Sequence, residues 1–195
     1  AATEENVRTL RARGVIVMEP EVGRLTGKDS GIGRFPETKS IVDEVLRLSK
    51  KNAVLAGKKV VVTAGGTREA LDPVRFIGNH SSGRQGLAIA YEALKAGAEV
   101  TVIAGATDPF YLEGARVIDV QSAQEMQRAV ESEFHDADAL VMAAAVADAR
   151  PTTTSDEKIK KSELQEISLT RNEDILAGIS ARKRPNQVLV GFAAE

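Results

Sequence analysis

Apolar residues along this 195-residue chain fall into two regimes, and the change comes near Lys58. Before it the pattern is sparse. Val7 and Leu10 share one side of a charged helical stretch from Ala1 to about Gly14, and Val15-Ile16-Val17-Met18 predicts a short strand. From Glu19 to Pro36, glycine, proline and charge follow one another without a period, which predicts loop. Helical spacing returns from Thr38 to Ser49, with Ile41, Val42, Val45, Leu46 and Leu48 as an apolar stripe. One strand and two helices bury too little to fold alone. Residues 1–57 are therefore expected to pack on something else, or to be the tail of a preceding domain.

From Lys58 the alternation is regular. Val60-Val61-Val62-Thr63-Ala64 is β-branched and uncharged, as a strand covered on both faces must be. A Gly-Gly pair ends it. Ser81 or Ser82 is placed to cap a helix running to about Ala96, with Gly97 as its C′ residue. Further strands are expected at Val100–Ala104, Arg116–Val120, Ala139–Ala143 and Val188–Val190, and helices at Ala123–Phe134 and Glu173–Arg182. Strands separated by helices predict residues 58–195 to be a Rossmann-like, doubly wound α/β domain, its sheet mostly parallel with helices on both faces. Between Asp148 and Ile167 the chain is polar and aperiodic, which predicts a long flap with at most a turn of helix.

Composition narrows the function classes. The formal charge is -2, so no net positive field exists to hold a nucleic-acid backbone. No stretch has the apolar length to cross a bilayer. The absence of cysteine excludes disulfides, thiolate metal sites and cysteine nucleophiles within the chain, and with no signal-like start a cytoplasmic setting is expected.

Ligands of open α/β sheets sit beyond the carboxyl ends of the strands, where strand order reverses. The loops after Ala64, Ala104 and Ala143 are the candidates. After Ala64 come Gly65-Gly66-Thr67, an excursion through Asp72, Arg75, Asn79, His80, Ser81 and Ser82, and then Gly83 and Gly86, whose bare backbone at a helix start suits a phosphate. Tight turns without a ligand explain the same glycines. A nicotinamide site is disfavoured, because the second strand ends Ile103-Ala104-Gly105 with no carboxylate for a ribose. Gly23 to Asp29 contains Gly-Lys at the wrong spacing for a P-loop, and Asn79-His80-Ser81 fits a glycosylation pattern by chance. His135, among Glu131, Glu133 and Asp136, is most simply a solvated helix-end histidine. The run from Met142 and Ala143 through Ala144, Ala145, Val146 and Ala147 to Asp148 leaves backbone open to a flat ring, although close strand-helix packing explains the alanines equally well. Lys158-Ile159-Lys160-Lys161 puts three ammonium groups on the flap; such runs are usually solvated, but over a phosphate site they would stabilise a leaving pyrophosphate.

Taken together, Thr63–Glu69, Leu71–Gly83, Ala143–Asp148, Glu157–Lys161 and Gly191-Phe192-Ala193-Ala194-Glu195 resemble the phosphopantothenate-cysteine ligase family, the ligase half of a bacterial bifunctional coenzyme A biosynthesis protein. On this resemblance, residues 1–57 look like the end of a fused flavoprotein decarboxylase half, whose FMN site lies elsewhere. The family pattern continues past Glu195 with a lysine-bearing segment, and often has Pro where Glu173 stands here, at an expected helix N1.

The resemblance implies that CTP, with magnesium on its triphosphate, activates the carboxylate of 4′-phosphopantothenate as an acyl-cytidylate, and that the amine of L-cysteine then displaces CMP. It implies Lys158 as the cation and Asn79 as the donor to the acyl oxygen, with Arg75 reaching in from the partner subunit of a homodimer. Phosphopantothenate would meet Asn79, Ala144, Ala145 and Asp148. The nucleotide would meet Gly65, Ser81, Gly83, Gly86, Met142 to Ala144, Asp148, Lys158, Thr170, Arg171, Asn172, Glu173 and Phe192. An ATP-using member of the family and a non-catalytic nucleotide-sensing module are the alternatives.

Overall fold

A computed structural model of the chain describes residues 2–24, 30–51, 53–161 and 166–192. The chain divides into two compact units, Ala1–Asn52 and Ala53–Glu195.

The first unit contains helix α1 (Ala2–Ala12), strands β1 (Glu21–Arg24) and β2 (Ser30–Arg34), and helix α2 (Thr38–Lys51). Both helices lie where the spacing put them. The strand expected at Val15–Met18 is not formed; strands lie instead inside the stretch expected to be loop. β1 and β2 pair antiparallel, Val22 opposite Ile32 and Gly23 opposite Gly31. Cross-strand pairing of two β-branched residues outweighs the local glycine and charge content, whereas the Val15 N–H donates back to the Leu10 carbonyl at 3.0 Å and no partner strand stands beside Val15-Ile16 among the described residues. Residues 25–29, most of the Gly-Lys lookalike, lie outside the described residues. Among the described residues of this unit none is buried, and Val42, Val45 and Leu46 of the α2 stripe stay exposed.

The second unit is a doubly wound α/β domain. In order it contains β3 (Lys59–Ala64), β4 (Arg68–Asp72), β5 (Arg75–Gly78), α3 (Arg84–Lys95), β6 (Glu99–Ala104), β7 (Arg116–Asp119), α4 (Ala123–Phe134), β8 (Ala139–Met142), β9 (Ala149–Pro151), β10 (Leu169–Arg171), α5 (Ile175–Arg182) and β11 (Val188–Gly191). Five strands form one sheet in the order β11-β8-β3-β6-β7, every pair parallel. The chain starts in the middle, winds outward to β7 and then returns to the other side of β3, so strand order reverses between β3 and β8.

Period-two alternation along β3 divides the core. Val61 joins Ile103, Met126, Val130, Phe134, Leu140, Ile175 and Ile179 under α4 and α5. Val60, Val62 and Ala64 face the other way, with Val100, Val102, Ala90 and Ala93, under α3. At ~0.8 kcal/mol per buried methylene, these two faces supply the main drive to fold. Lys58 and Asp138 brace the amino end of the sheet at 2.9 Å, and Lys58 together with the Lys59 N–H holds the Asp138 carboxyl below its ordinary range. Among the described residues no helix is long and apolar enough to cross a membrane.

Four details differ from expectation. The excursion after β3 is a hairpin, β4–β5, with Glu69 opposite Ile77 and Asp72 opposite Arg75. Gly83, in the left-handed region at φ 74°, is the cap residue of α3, while Ser82 precedes it and its Oγ accepts from the Arg84 N–H at 3.5 Å. The flap springs from a second antiparallel pair, β9–β10, with Thr170 opposite Arg150; no helical turn occurs among its described residues, and residues 162–165 lie outside them. Finally, Asp174 caps α5 by accepting from the Ala177 N–H at 2.9 Å, so Glu173 precedes the helix rather than opening it. Asp174, one residue after Glu173, carries the short carboxylate that reaches the N3 amide, as an N-cap requires.

Candidate active site at the strand-order reversal

The loops after β3, β6 and β8 meet at the carboxyl edge of the sheet. Gly66 donates to the Ala106 carbonyl at 2.9 Å and accepts from the Ala106 N–H at 2.8 Å. On its other side the Ala145 N–H donates to the Gly65 carbonyl at 2.7 Å, and the Thr67 N–H to the Ala145 carbonyl at 3.2 Å. Two buried hydroxyls fix the alanine run against this loop. Thr63 Oγ1 accepts from the N–H groups of Ala143 and Ala144, each at 3.1 Å, and Thr67 Oγ1 accepts from Ala147 at 2.9 Å. The backbone there is thus consumed in holding its own shape, and small side chains leave the surface open.

Thr63→Val keeps the shape of a fully buried side chain and deletes an acceptor shared by two N–H groups. A loss of about 1–3 kcal/mol is expected in urea unfolding, from the unmet donors. An unchanged midpoint would refute this role for the hydroxyl.

Asn79, one residue past β5, is exposed, and its Nδ2 donates to the Val146 carbonyl at 3.3 Å. This joins the hairpin's end to the alanine run, so Asn79, Ala144, Ala145 and Gly65 share one locality. Ser81 Oγ accepts from the Gly83 N–H at 3.3 Å and shapes the turn into α3. Gly86 is buried against β3, where an added Cβ would come within 2.6 Å of the Thr63 carbonyl oxygen; it lets helix and strand approach closely.

Beside this locality lies a cleft of about 790 Å³, lined among others by Met142, Ala144, Asp148, Arg171, Glu173 and Phe192. Asn172 forms its wall. Asn172 Nδ2 donates to the Ala147 carbonyl at 2.7 Å, its N–H donates to the Asp148 carbonyl at 2.8 Å, and its Oδ1 accepts from Arg150 at 2.8 Å. Its amide is therefore occupied in positioning the wall. The Glu173 carboxylate accepts from Gln127 at 2.7 Å, and the Phe192 N–H reaches the Met142 carbonyl at 3.2 Å with its ring half-exposed. Thr170, within β10, is exposed. Ala193, Ala194 and Glu195 of the last motif lie outside the described residues.

Two sequence candidates sit elsewhere in the chain. Arg75 lines a separate cleft of about 540 Å³ with Arg68, Phe76, Asp119 and Gln121. Its guanidinium is held by the Asp72 carboxylate, and it also donates to the Ile159 carbonyl at 2.8 Å. Lys158 is exposed on the flap beside Ile159. His135 is exposed, its Nδ1 2.9 Å from the Asp136 carboxylate.

Sequence reasoning passed over Thr63, Thr67 and Asp72. A hydroxyl closing an otherwise aliphatic buried strand was a usable signal for Thr63, since its position demands a partner. Asp72-Pro73 was another, because Asp before Pro initiates turns whose N–H groups the carboxylate accepts.

Residues 55–195 match the family described as the DNA/pantothenate metabolism flavoprotein C-terminal domain. A coenzyme A biosynthesis bifunctional protein CoaBC of Mycobacterium tuberculosis is 51% identical over 209 residues, covering 100% of this chain and 49% of its own length. A protein named cysteine/cysteine sulfinic acid decarboxylase, from an unknown prokaryotic organism, is 44% identical over 203 residues, covering 100% of this chain and 56% of its own. The crystal structure of the C-terminal domain of a coenzyme A biosynthesis bifunctional protein CoaBC aligns with a TM-score of 0.65 at 40% identity, over 73% of this chain and 67% of that one. This chain spans about half the length of the curated relatives it matches. A sheet whose order reverses at β3, loops fused at that point and a family match over all but the first two residues of the second unit agree: the chain belongs to the DNA/pantothenate metabolism flavoprotein C-terminal domain family.

Proposed function

We propose that the second unit is a phosphopantothenate-cysteine ligase of coenzyme A biosynthesis, using CTP, and that in the whole protein it is fused to a flavoprotein decarboxylase half holding FMN. The observation that carries this reading is the contact of Asn79 with the end of the alanine run, at the Val146 carbonyl, beside a cleft large enough for a nucleotide.

In the first step a carboxylate oxygen of 4′-phosphopantothenate attacks the α-phosphorus of CTP, and the bond to pyrophosphate breaks. The negative charge moves to the leaving phosphate, where the Lys158 ammonium answers it. In the second step the cysteine amine attacks the acyl carbon, loses a proton and expels CMP. Charge now develops on the acyl oxygen, and the Asn79 amide is the neutral donor suited to it. Neither step needs a nucleophile from the protein, which suits a locality of alanines, glycines and one amide. Asp148, exposed on the cleft, would meet the nucleotide and phosphopantothenate, and magnesium would be carried by the triphosphate. In a homodimer Arg75 would act on the partner's substrate.

The test is pyrophosphate release from full-length protein given phosphopantothenate, cysteine, magnesium and CTP. No release sinks the ligase reading. Release with ATP in place of CTP would move the assignment to an ATP-using member. Carbon dioxide from cysteine without nucleotide consumption would favour the chemistry in the decarboxylase relative's name.

A further inference from the structure

One buried carboxylate gathers the hairpin and the flap. Asp72 side-chain atoms are fully shielded from solvent. Its Oδ1 accepts from the N–H groups of Val74 and Arg75, each at 2.9 Å. Its Oδ2 accepts from Arg75 Nε at 2.8 Å and from Nη2, and also from the Ile159 N–H at 3.2 Å. Arg75 Nη2 in turn donates to the Ile159 carbonyl at 2.8 Å. Both backbone groups of a single flap residue are thus held by one ion pair. Upstream the flap is stitched to β4 by Thr154 Oγ1 donating to the Ala70 carbonyl and the Ser155 N–H to the Leu71 carbonyl, each at 3.1 Å.

Ile159 lies between two exposed lysines, Lys158 and Lys160. A lysine side chain has four rotatable bonds, so its charge is only as well placed as the backbone it hangs from. We propose that Asp72 is a positioning residue, which with Arg75 latches the Ile159 peptide and thereby sets where the Lys158 ammonium stands. Five donors require the carboxylate form, and the guanidinium keeps the Asp72 carboxyl well below its usual range despite the burial that opposes this. The latch also gives Arg75 a task within its own chain. The catalytic part of the proposal rests on the ligase reading; the latch itself does not.

Asp72→Asn in the full-length protein substitutes N–H groups for one acceptor oxygen and should release the flap. Limited trypsin digestion read by mass spectrometry should show cuts after Lys158, Lys160 and Lys161 at least about tenfold faster, with cuts elsewhere unchanged. The kcat for pyrophosphate release should fall about tenfold or more while KM for nucleotide moves less than about threefold. Flap cleavage at the wild-type rate in folded protein overturns the latch. Faster cleavage with unchanged kcat overturns the positioning role. If Asp72→Asn does not fold, Ile159→Pro removes the N–H that Asp72 accepts and, because trypsin does not cut before proline, is read after Lys160 and Lys161, where unaltered cleavage overturns the latch equally. Faster cleavage in a protein whose wild type releases no pyrophosphate leaves the latch standing and defeats the ligase reading instead.

Discussion

Asn79→Asp is expected to lower amide product formation by about 10²–10³ in kcat, the typical cost of losing one oxyanion donor. The substitution is isosteric, so the fold should hold. What changes is the sign of the interaction. The Nδ2 that now donates to the Val146 carbonyl becomes an oxygen, which repels that carbonyl and any oxyanion formed near it. Because the proposed donor acts on charge that develops during acyl transfer, nucleotide affinity should move far less than turnover. Titration calorimetry with CTP and a coupled assay for CMP would separate the two. Product formation within about tenfold of wild type would remove Asn79 from the mechanism.

Gly65→Ala carries the second large effect, on stability. Gly65 sits at φ +82°, where a side chain costs about 1–2 kcal/mol. An added Cβ would also stand 2.5 Å from the Ala106 carbonyl oxygen and 2.7 Å from Thr107 Cγ2. The first neighbour is backbone held in its own hydrogen bonds, so little relief is available, and overpacking of this kind costs about 1–3 kcal/mol more. A total of roughly 2–5 kcal/mol should appear as a lowered urea midpoint with unchanged m-value. A loss under about 1 kcal/mol would mean that the turn relaxes around the added Cβ and is not rigid.

Legibility followed the range of the interactions. The inner strands β3, β6 and β8 were visible because burial between two helical layers imposes aliphatic runs, the edge strands β7 and β11 because short β-branched runs stand between helices, and the three helices because one-sided burial imposes helical spacing. Hairpins were invisible. In β4, Arg68 and Ala70 are exposed while Glu69, Leu71 and Asp72 are buried, so charged residues occupy the inward positions that normally announce a strand by being apolar. Glu69 is inward because its carboxylate accepts the Ala123 N–H at 2.9 Å, a demand set 54 residues away. The cap of α3 went the same way. Two serines stood in the expected place, but the chain enters the helix through a left-handed turn that only Gly83 accepts cheaply. The loops of the candidate site were legible as motifs, through the glycines, Asn79 and the alanine run. Its framework was not, because Thr63, Thr67 and Asp72 act through backbone atoms of distant segments whose identity no local pattern records.

The bridges from Gly66 to Ala106 and to Ala145 extend the sheet's ladder beyond its last residues, into what would otherwise be three separate loops. Such a rim has no hinge of its own. Its amides at Gly66, Ala106 and Ala145 should exchange with solvent only when the whole sheet opens, as slowly as those of β3. A molecule seated on that floor meets a surface that does not yield, so its residence time is set by the contacts it makes there rather than by any opening of the rim.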